Sequence, residues 1–162
     1  MHTVYGLEDG SAVLQVGCEK GFLLHDFHNC YPQMKVCGTD ISDYAIEHAM
    51  DDIKPNIQKA PFTDLPFEDN RFDLVVAIGV VYTLNLADAM KCLEEIQRVS
   101  RDHSFVTLAA YRTDEEKTLF EWWTVLGACL LHEEDWVKVL QHVGYTGDYK
   151  FTTARSLKLI RA

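Results

Sequence analysis

Ten residues, Ala12-Val-Leu-Gln-Val-Gly-Cys-Glu-Lys-Gly21, narrow the choice of fold more than any other stretch of the chain. Ala12 to Val16 is an apolar run of strand length. It ends at Gly17, passes Cys18, Glu19 and Lys20, and reaches Gly21. Phe22, Leu23, Leu24 and Phe27 then follow at helical spacing. The pattern predicts a strand, a glycine turn and a helix start. Glycines lack side chains, so the backbone turns tightly and a ligand can lie against it. The helix that follows points its first N–H groups at the same place. Lys35-Val-Cys-Gly-Thr-Asp40 reads as a second strand. Its closing carboxylate stands about 20 positions after the glycine turn, where it can reach the ribose hydroxyls of a nucleotide-like ligand.

The rest of the chain repeats the alternation. The first helix should run from about Lys20 to Cys30, stopping before Tyr31-Pro32. Ser42 is a good N-cap for a helix carrying Tyr44, Ala45, Ile46 and Ala49. Pro55 breaks it, and Asn56 to Ala60 makes a short third strand. After a turn-rich loop, Asp64 to Arg71, comes Phe72 to Ile78, an apolar, β-branched run that fits a central parallel strand. Ala87 to Ser100 is an amphipathic helix with Met90, Leu93, Ile96 and Val99 inside and Lys91, Glu94, Glu95 and Arg98 on the wet side. A fifth strand spans Ser104 to Ala110, and helices span Glu115–Leu131 and Glu133–Val143, the second closed by Gly144. Tyr145–Thr153 and Ser156–Arg161 read as two last strands forming a hairpin. The order predicts one α/β domain, doubly wound, with a mostly parallel seven-stranded sheet in three layers and a C-terminal antiparallel hairpin. Residues 1–11 are a short N-terminal extension, which implies that the ligand pocket is open, that a partner or second subunit covers it, or that the chain is a truncated piece.

Composition excludes several classes. No run of 18 apolar residues exists, so no membrane span is expected. Met1 to Gly10 lacks the basic and apolar regions of a signal peptide. Five cysteines in or beside core elements, with no C-x-x-C pair, fit reduced thiols and a cytoplasmic setting. The net charge of −10 repels phosphate backbones and disfavours a nucleic-acid substrate. A nicotinamide site wants G-x-G-x-x-G, but Glu19 and Phe22 stand at the second and third glycine positions. Cys18, His25, His28 and Cys30 fit no structural zinc spacing, so no metal is expected.

Three segments in order, Val13-Leu-Gln-Val-Gly-Cys-Glu-Lys-Gly21, Gly38-Thr-Asp-Ile-Ser42 and Leu65-Pro-Phe-Glu-Asp-Asn-Arg-Phe-Asp-Leu-Val-Val76, resemble the class I S-adenosylmethionine-dependent methyltransferases. The likeness runs from about Ala12 to the C-terminus. It implies S-adenosylmethionine as cofactor and S-adenosylhomocysteine as product. In open α/β sheets ligands sit outside the carboxyl ends of the strands. That rule, with the resemblance, selects Gln15, Gly17, Cys18 and Gly21 from the first strand and its turn, and Asp40 and Ile41 from the second. It adds Ala60, Pro61 and Phe62 after the third strand, and Ile78, Gly79 and Val80 after the fourth. By resemblance, backbone around Gly17 and Ile78 holds the methionine part and Asp40 accepts from the ribose hydroxyls. Ile41 and Phe62 flank the adenine, and the Phe62 N–H replaces the donor that Pro61 lacks. The chain departs from the family pattern at Gln15 and Pro61, where an acidic residue is usual or frequent, and at Glu19, where a glycine is usual.

Methyl transfer from a sulfonium needs alignment above all, and a base only if the acceptor must lose a proton. Ile78-Gly-Val-Val-Tyr-Thr-Leu84 lacks the Asn/Asp-Pro-Pro-aromatic run of enzymes that methylate planar amino groups and the Pro-Cys of cytosine C5 enzymes. Gly79 stands where aminopropyl transferases carry an Asp. The catalytic candidates are Tyr82, Tyr111 and Arg112. Arg112 fits either a carboxylate or phosphate clamp or an ion pair with Asp114 or Glu115. Of Trp122 and Trp123, at least one is expected in the core, the other lining a pocket or a partner surface. The resulting expectation is methyl transfer to a small-molecule acceptor. The alternative is a cofactor-binding domain with little catalysis, acting as a regulatory or scaffold subunit.

Overall fold

Runs too apolar to face water on either side form the middle of one sheet. The computed structural model describes residues 1–160. Seven strands and five α-helices alternate: β1 (Ala12–Val16), α1 (Phe22–Cys30), β2 (Lys35–Asp40), α2 (Asp43–Glu47), β3 (Ile57–Lys59), β4 (Phe72–Ala77), α3 (Leu86–Val99), β5 (Ser100–Tyr111), α4 (Asp114–Trp123), β6 (Leu131–His132), α5 (Glu133–His142) and β7 (Asp148–Thr152). The sheet order is β3-β2-β1-β4-β5-β6, and β7 pairs with β5 beside β6. Every strand pair among the described residues is parallel.

Alternation along the strands splits the core in two. Val13, Leu74 and Val76 point to one face and pack on Leu24 and Phe27 of α1. Leu14, Val16, Val75 and Ala77 point to the other and pack on Leu93, Ile96 and Val99 of α3 and Trp136 and Leu140 of α5. Trp136 is fully buried, and its indole Nε1 donates to the Ala109 carbonyl at 2.7 Å. Caps fix the helix starts. Ser42 accepts from the Ala45 N–H, and Asn85 accepts from the Asp88 N–H. Residues 1–11 do more than extend the chain, because Leu7 is buried in the α1-side core.

Several expectations are corrected. The terminal hairpin is replaced by a single strand, β7, parallel to Phe105–Ala109 of β5. The expected partner, Ser156–Arg161, coils instead of extending. Thr153 N donates to Ser156 Oγ (2.9 Å) and Ser156 N to Thr153 Oγ1 (3.1 Å), while Leu157 N returns to the Thr153 carbonyl (3.0 Å). Such side-chain bonds favour a turn over a ladder. Arg161 lies outside the described residues. The long helix Glu115–Leu131 ends at Trp123, where Thr124 Oγ1 accepts from the Gly127 N–H (2.9 Å). The freed end, Leu131–His132, becomes β6 against Ala110–Tyr111. Neither adjacent tryptophan is in the core: Trp122 is 82% and Trp123 47% exposed. The buried stripe of α4 is Glu116 and Phe120, spaced i, i+4, and Trp123 only edges onto Phe120 (5.5 Å between ring centroids). Glu95, expected on the wet side of α3, is buried.

Candidate functional site

The carboxyl ends of β1, β2, β3 and β4 meet at one rim. Gly17 and Gly21 adopt left-handed conformations (φ 67° and 77°), and Glu19 between them does so too (φ 49°). The Gly17 and Cys18 N–H groups donate to the Thr39 carbonyl (2.8 and 3.0 Å), which binds the turn to β2. Gly17 is required twice, by its φ and by space, because a Cβ there would overlap Val80 Cγ2. That contact joins the end of β1 to the end of β4. Gly21 is the N-cap of α1 and supplies no side chain to it, so the first N–H groups of α1 face the rim without a side-chain partner.

Asp40 is 6% exposed at the end of β2. Its Oδ2 accepts from the Glu19 N–H (2.8 Å) and its Oδ1 from the Ser42 N–H (2.9 Å). One bond per oxygen leaves each with a lone pair for a further donor. The Asp40 carbonyl accepts from Ala60 N (3.2 Å), tying β3 to the same rim. Ile41 is 55% exposed beside it. Phe62 is packed into the core with Leu65, so little of its ring is left to face a ligand, and Pro61 is exposed. Gly79 turns with φ 77°, and its N–H donates to Thr107 Oγ1 (2.8 Å). Ile78 is partly exposed and Val80 buried. Cys18 is buried against Gly38, and burial first, then the Asp40 charge, pushes its thiol up to about 12. It is a protonated packing residue at neutral pH. Gln15 lies on the α1 side of β1, and its Oε1 is a buried acceptor without a protein partner.

The three candidates for the acceptor side separate. Tyr82 lies in a 3₁₀ turn after β4, with its hydroxyl 3.9 Å from the position of a Cβ on Gly79. Its ring edges onto Phe120, and its carbonyl accepts from the N–H groups of Ala128 and Cys129 (both 2.9 Å). Tyr111 and Arg112 lie further out. Thr107 is level with Gly79, and the four residues from there to Tyr111 span about 13 Å of strand. Arg112 Nε donates to Glu133 Oε2 at 2.7 Å, so its ion pair is with neither Asp114 nor Glu115. Tyr111 packs edge-on to His132. His25 is held by Asp52 (2.7 Å) and Asn29 (2.8 Å), away from Cys18. Sequence reasoning missed Thr39, Thr107, Glu95 and Arg98. The first two act through one backbone carbonyl and one hydroxyl, and nothing in their spacing marks either.

Residues 13–103 match the family model described as a methyltransferase domain. The chain belongs to the class I S-adenosylmethionine-dependent methyltransferases. It is similar to a tRNA (carboxymethyluridine(34)-5-O)-methyltransferase of Arabidopsis thaliana, 29% identical over 133 residues, covering 81% of this chain and 31% of the relative. It is also similar to a cycloartenol-C-24-methyltransferase of the same plant, 34% identical over 101 residues, covering 58% of this chain and 29% of that one. The chain thus spans under a third of either relative. Among solved structures, PKMT2 of Rickettsia typhi in complex with AdoHcy superposes with a TM-score of 0.55 at 27% identity, covering 62% of this chain and 21% of that one. The family's cofactor is S-adenosylmethionine. The rim fits it: Gln15 Oε1 is an orphaned acceptor, the first N–H groups of α1 have no side-chain cap, and Asp40 has lone pairs to spare. No helix among the described residues is long and apolar enough to cross a membrane.

Proposed function

We propose that this chain binds S-adenosylmethionine along the β1–β2–β4 rim and transfers its methyl group to a small-molecule acceptor that approaches over Gly79. The observation that carries the reading is the Gly17–Asp40 cradle: one turn held by Thr39, one buried carboxylate with unused lone pairs, and one uncapped helix start. Gln15 Oε1 and backbone at Gly17 and Ile78 would hold the methionine part. Asp40 would accept from the ribose hydroxyls. Ile41 and the Phe62 N–H would meet the adenine. The bound cofactor supplies an electrophilic methyl on a sulfonium. The residues of this chain supply alignment, which is most of what a displacement needs. The Tyr82 hydroxyl over Gly79 orients the acceptor atom by a hydrogen bond. Tyr111 and Arg112, about 13 Å beyond, contact only an acceptor long enough to reach them.

A small acceptor is favoured by charge. The chain carries −10, and Arg112, just beyond β5, is already paired with Glu133. The named relatives span both classes, one a tRNA enzyme and one a sterol enzyme.

A second reading is a cofactor-binding subunit that serves a partner. It is favoured by Trp122, Val125 and Leu126, which are 82%, 94% and 73% exposed on the segment that bonds the Tyr82 carbonyl. A partner, or a second copy in a homodimer, seated there would also cover the acceptor side.

Incubation with methyl-labelled S-adenosylmethionine and panels of apolar small molecules and of RNA tests the choice. Label on a small molecule supports the first reading. Label on RNA alone overturns the small-acceptor assignment. Cofactor binding with no label on either favours the subunit reading.

A further inference from the structure

Glu95 and Arg98 of α3 form the most heavily bonded side-chain pair in the molecule's described residues, and no step of methyl transfer uses them. Glu95 is 5% exposed. A buried carboxylate is stable only when paired and hydrogen-bonded. The Arg98 guanidinium meets it with both edges of a fork, Nε to Oε1 at 2.8 Å and Nη2 to Oε2 at 2.7 Å. An ion pair within one helix would end there. Here the three remaining donors of Arg98 all go to the loop after β3: Nη1 to the Phe67 carbonyl (2.7 Å) and to Asp69 Oδ1 (2.9 Å), Nη2 to the Leu65 carbonyl (3.0 Å). All five N–H donors of the guanidinium are therefore engaged. Glu95 Oε2 accepts from the Leu65 N–H (2.8 Å), and the Arg98 carbonyl accepts from the Asn70 N–H (2.9 Å).

The loop so held is the continuation of Ala60-Pro61-Phe62. Ala60 N is bonded to Asp40, Pro61 has no N–H, and Asp64 N returns to the Pro61 carbonyl (3.3 Å). Between them the Phe62 N–H makes no hydrogen bond to the described residues. Its ring lies in the same buried cluster as Leu65, the residue whose N–H is held by Glu95 and whose carbonyl is held by Arg98. Phe62 and Leu65 stand three residues apart on one loop with both side chains in that cluster, and close packing passes a shift of one to the other.

We propose that the Glu95–Arg98 pair is a positioning device: it sets the pose of the Phe62 N–H, and through it the cofactor site's preference for adenine. The proposal rests on the cofactor reading above. A backbone N–H meets the unprotonated ring nitrogen of adenine as an acceptor. The same position in hypoxanthine carries a hydrogen and offers none. The pose of one donor therefore appears as the ratio of affinities for two otherwise matched ligands.

The test is calorimetric titration of the chain and its variants with S-adenosylhomocysteine and with S-inosylhomocysteine. The wild-type chain should prefer the adenine ligand by about tenfold, one well-made hydrogen bond. Arg98→Lys keeps a cation beside Glu95 but offers three donors from a point charge in place of a planar fork of five. It should lose most of that preference and keep most of its affinity for the inosine ligand. Asp69→Ala, at an exposed loop position, should show a smaller fall in the same ratio and stands in if Arg98→Lys does not fold. An unchanged ratio in both variants, with only a lower melting temperature, would overturn the positioning role. A wild-type chain that binds neither ligand would overturn the cofactor reading itself, and the proposal with it.

Discussion

Single residues at the rim carry two duties each, and this shapes what their replacement should do. Gly17 sits at φ 67° with Val80 where a Cβ would go. The left-handed conformation alone costs an alanine about 1–2 kcal/mol. Gly17→Ala should therefore lower stability by more than about 2 kcal/mol, since displacing Val80 adds to the backbone cost. Adding Val80→Ala should recover the steric share and leave the backbone share, which a double-mutant cycle in denaturant measures. Asp40 supports the glycine turn through the Glu19 N–H, besides its proposed role as ribose acceptor. Asp40→Ala should weaken S-adenosylhomocysteine binding by about 1.5–3 kcal/mol, the range for hydrogen bonds to a charged group. Unchanged affinity would remove the ribose assignment.

At the scale of elements, the first five strands were legible because each central strand is an apolar run bounded by glycine, proline or a charged turn. The first helix and the Ser42 cap were legible for similar local reasons. What escaped was decided by contacts between distant segments. Leu131–His132 is a strand only because Ala110–Tyr111 extends past β7 to meet it. The terminal hairpin failed on a local reading that gave Ser156 to a strand when its hydroxyl closes a turn on Thr153. In the site, glycine spacing and Asp40 led to the rim, but Tyr111 and Arg112 were grouped with Tyr82 because sequence gives no measure of how far β5 overshoots β4. Glu95 shows the same limit. Helical periodicity assigned it to solvent, whereas the loop over α3 buries it. Its burial has a pH consequence. Arg98 bonding lowers the Glu95 carboxyl pKa from its ordinary 4.5, against the opposing effect of burial. A group whose pKa is depressed on folding stabilises the fold above its unfolded value and loses that contribution as pH falls through the folded one. Thermal melts should thus show stability falling below about pH 4.5, and Glu95→Gln should flatten that acid limb. An equally steep limb in the variant would assign the acid sensitivity elsewhere.

For the molecule as a whole, a parallel sheet brings four strand ends to one rim, and two cores hold that rim from both faces. The family match covers the part of the chain that builds it, residues 13–103. In the proposed reading the segment beyond supplies the acceptor side: β5 and α4, then the exposed Trp122–Leu126 stretch. The family departures at Gln15, Glu19 and Pro61 all fall on the proposed cofactor half, and in that reading each has a structural substitute. Gln15 keeps a buried acceptor, Glu19 accepts the left-handed turn with its N–H on Asp40, and Phe62 offers the N–H that Pro61 lacks. If those substitutes suffice, the chain binds its cofactor unaided. Calorimetric titration of the purified chain with S-adenosylmethionine and, separately, S-adenosylhomocysteine tests this most directly. The account predicts one site for each ligand, with a dissociation constant on the order of micromolar, about −8 kcal/mol. Absence of binding up to roughly millimolar, about −4 kcal/mol, would contradict it.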